Sequence, residues 1–293
     1  LGQMEMSGTV QGNIRQFATD LRLQSDVGSL QTDARFDFAQ DYSTAVYSGD
    51  LQLSHFDLGK ISKDSLLGTA NIVANFEGEG LAPVDWNTSL TATLDGLIYE
   101  GYTFDELLLD GALKPNLFQA KIRMDDPNLG FSYQGSIPIG DSTSAYQFDL
   151  ELETMNLQPL GLSRRPLNLA LGMNADINNF QVDQLEGRLL FSKVRIEDTL
   201  HTYQTDSIVA VSAKVDSKIR SLALDSDLLT FDMEGDYKLS QISREVVAWI
   251  GRYFPLEELV ITRDSLDRFE ETNLKAILHI KDPTRLTRIM LPE

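Results

Sequence analysis

Apolar and polar residues alternate with a period of two along most of this chain. The run Leu167, Leu169, Leu171, Met173, Ala175 and Ile177 sets apolar side chains against Asn168, Ala170, Gly172, Asn174, Asp176 and Asn178. Successive side chains of an extended strand point to opposite faces, so such a run has one apolar and one wet face. The same pattern fits Leu21 with Leu23, Leu51 with Leu53, and Ala120 with Ile122 and Met124. It fits Phe148 with Leu150 and Leu152, Val209 with Val211 and Ala213, and Leu229 with Phe231 and Met233. About eighteen strands are predicted in this way. Turn signals at Asp85, Pro115-Asn116, Asp125–Asn128, Gly140-Asp141 and Asp225–Asp227 come at short spacings that favour hairpins over crossovers. The pattern predicts an all-β fold built as a long antiparallel meander.

The pattern also repeats. Leu129-x-Phe131-x-Tyr133-x-Gly135 returns as Leu229-x-Phe231-x-Met233-x-Gly235, and Leu51-x-Leu53-x-x-Phe56-x-Leu58 returns as Leu150-x-Leu152-x-x-Met155-x-Leu157. Roughly one hundred residues separate the copies, so the chain reads as one continuous repeat-built domain. The approximate repeats are a partial one over 1–50, then 51–149 and 150–240, with a helical insertion over 241–256 and a further unit beginning at 272. Helical spacing is clear in one place. Ser240 can cap a segment, about 241–254, whose Ile242, Val246, Trp249, Ile250 and Tyr253 form an apolar stripe that Pro255 stops. A shorter helix is expected after Asp282-Pro283, with Leu286, Ile289 and Met290 on one side. One or two short helices cannot cover so many strands. The apolar face is therefore expected to be buried by the sheet curling on itself, by a second sheet as in a closed sandwich or barrel, or by something that is not protein.

Composition narrows the partners. The formal charge is -19, from 44 acidic and 25 basic residues, a field that repels nucleic acid phosphates and anionic headgroups. There is no Cys, which excludes disulfides and thiolate metal sites. No apolar run approaches the roughly 18 residues of a membrane span. The chain opens at Leu1 without Met and reads as a piece of a longer protein, with any targeting signal or anchor outside it.

Catalytic patterns are not found. His55, His201 and His279 have no metal-ligand spacing to one another, and no metal or cofactor is expected. Asp125 with Asp126, and Asp225 with Asp227, could serve as acid and base or hold calcium, but they sit where hairpins must turn and read as turn formers. Nucleophile-elbow, phosphate-loop and zinc-helix motifs do not occur. A repeat-built glycan hydrolase would need aromatic sugar platforms, and Trp86 and Trp249 are the only tryptophans. The chain is not expected to be an enzyme.

The pattern Leu51-x-Leu53-x-x-Phe56-x-Leu58-Gly59, running into Leu67-Gly68 and Phe76-x-Gly78-x-Gly80, resembles the TamB proteins of the AsmA-like group of bridge-like lipid transfer proteins, most closely the large versions of Bacteroidota. The resemblance continues through Gly101-Tyr102-Thr103-Phe104, Leu107 to Gly111 and Asp125 to Asn128, and returns in Leu150 to Leu160 and Leu222 to Gly235. It implies a sheet curled lengthwise into a trough with an apolar concave face, lying in the periplasm, tethered at the inner membrane, reaching the outer membrane and carrying phospholipid acyl chains between the two. On that reading the groove is lined by Leu51, Leu53, Ile122, Phe131, Tyr133, Leu150, Leu152, Leu169, Leu171, Met173, Val211, Leu229, Phe231 and Met233. The stripe Ile242, Val246, Trp249, Ile250 and Tyr253 would be its lid, or else ordinary packing over one end of the sheet. The alternative function is an assembly factor aiding insertion of outer-membrane β-barrel proteins or autotransporters, working with a barrel partner of the TamA/BamA type.

Overall fold

A computed structural model describes residues 3–38, 43–139, 145–178, 181–240 and 273–285. They form an all-β chain with the strands β1 (Met4–Asn13), β2 (Gln16–Ser25), β3 (Gly28–Asp37), β4 (Val46–Asp57), β5 (Thr69–Glu79) and β6 (Asn87–Asp95). Next come β7 (Leu97–Tyr99), β8 (Tyr102–Phe104), β9 (Leu107–Lys114), β10 (Leu117–Asp126), β11 (Leu129–Pro138) and β12 (Tyr146–Asn156). The last are β13 (Asn168–Ile177), β14 (Gly187–Glu197), β15 (Thr202–Lys214), β16 (Arg220–Ser226), β17 (Leu229–Asp236) and β18 (Asn273–Ile280). A short helix, α1 (Leu58–Ser62), follows β4.

Sixteen of these strands make one antiparallel meander in chain order, from β1 to β6 and then β9 to β18; β7 and β8 form a separate hairpin. The chain divides into two compact units. The first is Leu1–Gly172 with Val194–Gln204, and the second is Met173–Lys193 with Thr205–Glu293. The first unit holds β1 to β12, the second holds β16 to β18, and β13, β14 and β15 give residues to each.

The repeated spacing in the sequence has a structural cause. In β4 the ladder to β5 slips between Leu53, opposite Ile72, and Phe56, opposite Ala70. In β12 the ladder to β11 slips between Leu152, opposite Phe131, and Met155, opposite Leu129. Each strand spends three residues where its partner spends two, which is a β-bulge, and the bulge returns Phe56 and Met155 to the apolar face. The doubled x in Leu-x-Leu-x-x-Phe/Met is this bulge; His55, within the first of them, has a left-handed backbone with φ 48°.

The turns separate two kinds of expected corner. Asp126 accepts the N–H of Asn128 at 2.8 Å and of Leu129 at 3.2 Å, the local bonding expected of a turn aspartate. At the β16–β17 turn the local acceptor is Ser226, whose Oγ takes the N–H of Leu228 and Leu229. Asp225 instead meets Lys281, and Asp227 meets Thr205 and Arg285. The stripe Ile242, Val246, Trp249, Ile250 and Tyr253, and Leu286, Ile289 and Met290, lie outside the described residues. Among the described residues no helix is long and apolar enough to cross a membrane.

Candidate functional site

Directly opposed residues of an antiparallel pair share a face, so the register can be followed from strand to strand. In the first unit one row runs Met6, Leu23, Leu30, Leu53, Ile72, Leu94, Leu107, Met124, Phe131, Leu152 across ten strands. The next row on that face runs Gly8, Leu21, Thr32, Leu51, Ala74, Ala92, Leu109, Ile122, Tyr133, Leu150. A third passes from Val10 through Ala34, Phe76 and Ala120 to Phe148, and a fourth from Phe17 through Phe36, Tyr47 and Phe118 to Ile137. No residue in these four rows is charged. The intervening rows carry the charge, as in Asp20, Asp33, Asp50, Asn75, Thr91, Asp110, Lys121, Gln134 and Asp149.

The face is long, and among the described residues it is uncovered beyond its first row. Ten strands at about 4.8 Å spacing span about 43 Å, and four rows at about 6.8 Å span about 20 Å. Away from the margin described below and from edge strand β1, whose Met6 and Val10 are exposed, the large side chains of the rows, among them Leu51, Phe76, Leu90, Leu109, Ile122, Tyr133 and Leu150, are half-buried. Among the described residues no large side chain is fully buried, whereas the core of a closed sandwich encloses its central residues completely. Aromatic rings tile parts of the surface: Phe17 on Phe36 at 5.1 Å, Tyr47 by Phe76 at 6.3 Å, and Tyr133 by Phe148 at 5.5 Å. Burial pushes the Tyr133 phenol above its ordinary pKa, so it stays neutral. A cleft of about 340 Å³ lies on the polar face behind Phe17, Phe36 and Tyr47, between the row of Ala18, Arg35 and Ser48 and the row of Gln16, Asp37 and Val46. Two further clefts, of about 420 and 330 Å³, are on the polar face and are lined by groups such as Asp33, Asp50 and Glu77 or Arg22, Gln31 and Gln52. These suit water rather than a hydrocarbon. No group of three or more metal-ligating side chains occurs among the described residues.

One margin of the apolar face is walled. The hairpin β7–β8 leaves the strand ends between β6 and β9 and lies over the first row, where Phe104, Met124 and Leu160 are 8 %, 5 % and 8 % exposed. Leu97, Tyr102, Leu107, Leu129, Phe131 and Met155 pack around them. Backbone bonds tie the hairpin to the segment after α1: the Gly68 N–H donates to the Ile98 carbonyl and the Glu100 N–H to the Leu66 carbonyl, both at 2.8 Å. On the other side Asp126 accepts the Tyr102 hydroxyl at 2.8 Å and the Asp105 N–H at 3.0 Å. The Asn128 amide donates to the Tyr102 oxygen at 2.9 Å. Burial foremost, reinforced by the Asp126 carboxylate, holds the Tyr102 phenol above its usual pKa and keeps it a donor.

Seven of the residues expected to line a groove thus share one face: Leu53, Phe131 and Leu152 in the first row, and Leu51, Ile122, Tyr133 and Leu150 in the second. Leu169, Leu171 and Met173 occupy alternate, half-buried positions of β13. In the second unit Phe231 and Met233 stand opposite Leu224 and Leu222 on β16 and opposite Leu278 and Ala276 on β18, with Leu229 in the same set. Val211 is corrected by the register. It lies opposite Ala223, which lies opposite Asp232, and so it faces away from Phe231 and Met233 and is 40 % exposed. β15 is apolar at both parities, with Ile208 and Ala210 alternating with Val209 and Val211, so alternation alone does not choose its inner face. The sequence reading missed the wall, because a hairpin of three-residue strands is too short to show periodicity.

No protein-family model, curated protein or solved structure matches this chain.

Proposed function

We propose that the apolar face of the first unit carries phospholipid acyl chains, as the floor of a trough in a periplasmic bridge between membranes, and that this chain performs no covalent chemistry on them. The carrying observation is the set of four uncharged rows, three of them in register across ten strands, that no second layer encloses among the described residues. Exposing acyl chains to water costs about 0.8 kcal/mol per CH2, on the order of 20 kcal/mol for two ordinary chains, and a continuous apolar surface offsets most of that. A second copy of the chain could cover the same face. The charge of -19 on each copy opposes that pairing, whereas a neutral hydrocarbon meets no such field.

Ile122→Arg tests the reading, because Ile122 is half-buried in the second row. Lipid retained after purification, measured by native mass spectrometry, is expected to fall about tenfold, while the melting temperature moves by less than about 3 °C since the guanidinium reaches water. An unpaired charge in an enclosed core would instead cost several kcal/mol. A collapsed fold, or wild-type protein that never takes up lipid from vesicles, sinks the proposal.

A second reading has its own observation. Edge strand β1 is exposed at all ten residues and carries no Lys, Arg or Pro, the devices that discourage strand addition. Such an edge supports an assembly factor that pairs with nascent barrel strands. Binding of an unfolded barrel-strand peptide that phospholipid does not displace would favour it.

A further inference from the structure

The β7–β8 hairpin is not needed to build the sheet. β6 and β9 pair directly, with Leu94 opposite Leu107, and a two-residue turn would join them. Residues 96–106 instead leave the sheet, fold across the first apolar row and are pinned on both sides. The excursion buries Met124 and shields Leu107 and Phe131, while Leu109 and Ile122 in the next row keep no such cover. What remains open beside the hairpin is the second to fourth rows, about 14 Å along the strands. An acyl chain in one leaflet extends about 15 Å, half of a hydrocarbon core of about 30 Å.

The opposite margin differs in chemistry. Its fourth row carries Phe17, Phe36, Tyr47 and Phe118, and the Tyr47 hydroxyl turns to the Gly80 carbonyl at 3.1 Å and to Thr88 at 2.5 Å. Aromatic side chains with a polar tip favour a boundary between apolar and wet surroundings.

On the reading of the face as a lipid carrier, we propose that the hairpin is an acyl-chain stop: phospholipid lies across the rows with its chain ends against Phe104 and Leu107 and its headgroup at the Tyr47 margin. The stop sets both the direction in which lipid lies and the chain length that fits. It adds a selection that a flat apolar face lacks, because an unbounded face gains about 0.8 kcal/mol with every further CH2 it covers.

The test uses the full chain and phosphatidylcholine vesicles doped with phospholipid bearing a photoreactive group either at the acyl terminus or on the headgroup. Peptide mapping of the crosslinks is expected to place the acyl-terminal label on 97–107 or near Leu160, and the headgroup label near Tyr47 and Thr88. A reversed or uniform distribution overturns the stop while leaving a lipid carrier. Absence of both labels above background, in protein with its sheet intact by circular dichroism, removes the carrier reading itself. In a second arm, residues 96–105 are replaced by Asn-Gly, so that Asp95 and Glu106 flank the turn and Leu94 stays opposite Leu107. Uptake of twenty-carbon relative to sixteen-carbon phospholipid is expected to rise at least about fourfold, the change for burying just one of the extra CH2 groups at about 0.8 kcal/mol. An unchanged ratio in a folded variant overturns the length selection, and if that variant does not fold the crosslinking of the intact chain decides alone.

Discussion

Asp126→Ala is expected to cost the first unit about 4 kcal/mol and to release the β7–β8 hairpin from the sheet. The residue is 4 % exposed, and its two oxygens accept four donors: the Tyr102 hydroxyl and the N–H groups of Asp105, Asn128 and Leu129. Each donor left buried without a partner costs about 1–3 kcal/mol, and the two in the turn recover part of it from water. Loss of the attachment also uncovers Phe104 and Met124. For a unit of this size about 4 kcal/mol corresponds to a melting temperature lower by about 8–16 °C. Hydrogen exchange at residues 97–105 should accelerate before exchange in β9 and β10, because the hairpin opens without unfolding the ladder. Tyr102→Phe removes one of the four donors and should cost only about 1 kcal/mol. A loss below about 1 kcal/mol for Asp126→Ala, with hairpin protection intact, would show that the hairpin is held by apolar packing alone.

Gly135→Val should be nearly as damaging for a different reason. Gly135 stands opposite Phe148 in the β11–β12 ladder. A Cβ added there would lie 2.3 Å from the Phe148 Cβ, 2.6 Å from the Gln147 carbonyl oxygen and 2.8 Å from the Phe148 Cα. Two of these are backbone atoms, so no rotamer change relieves the clash and the strands must separate. Overpacking of this kind costs about 1–3 kcal/mol, and the added branch at the same site places the substitution at the upper end. Chemical denaturation followed by far-ultraviolet circular dichroism measures the loss. Gly130→Ala is the comparison: its added Cβ would meet only the Thr154 methyl at 3.4 Å and the Glu153 Cβ at 3.9 Å, and a much smaller loss is expected. Equal losses for the two glycines would mean that chain entropy, not close approach, is what these positions supply.

Alternation along the chain points to an apolar face on each strand, and the register joins those faces. The rows through Leu53 and Leu51 are continuous because the turns between β1 and β12 preserve parity over ten strands. A slip of one residue at any of them would have sent the next strand's apolar set to the wet side. The bulges at Leu53–Phe56 and Leu152–Met155 are slips of this kind used in repeated positions, and they bring the next apolar residue back to the same face.

Alternation of side chains is a local property, so the amino-acid sequence by itself determined the all-β class, the meander and the polar partner of each apolar face. It also showed that the two-residue gap after Leu53 recurs after Leu152; that this gap is a β-bulge was decided by the ladders to β5 and β11. Tertiary structure alone decided that Val211 faces away from Phe231, that Asp126 is a buried anchor as well as a turn residue, and that a short hairpin walls one margin. Each of these depends on a partner distant in sequence: Ala223 opposite Val211, Tyr102 beside Asp126, Met124 beneath Phe104. Periodicity carries no information about such pairings, because cross-strand register and burial are set only when the strands meet.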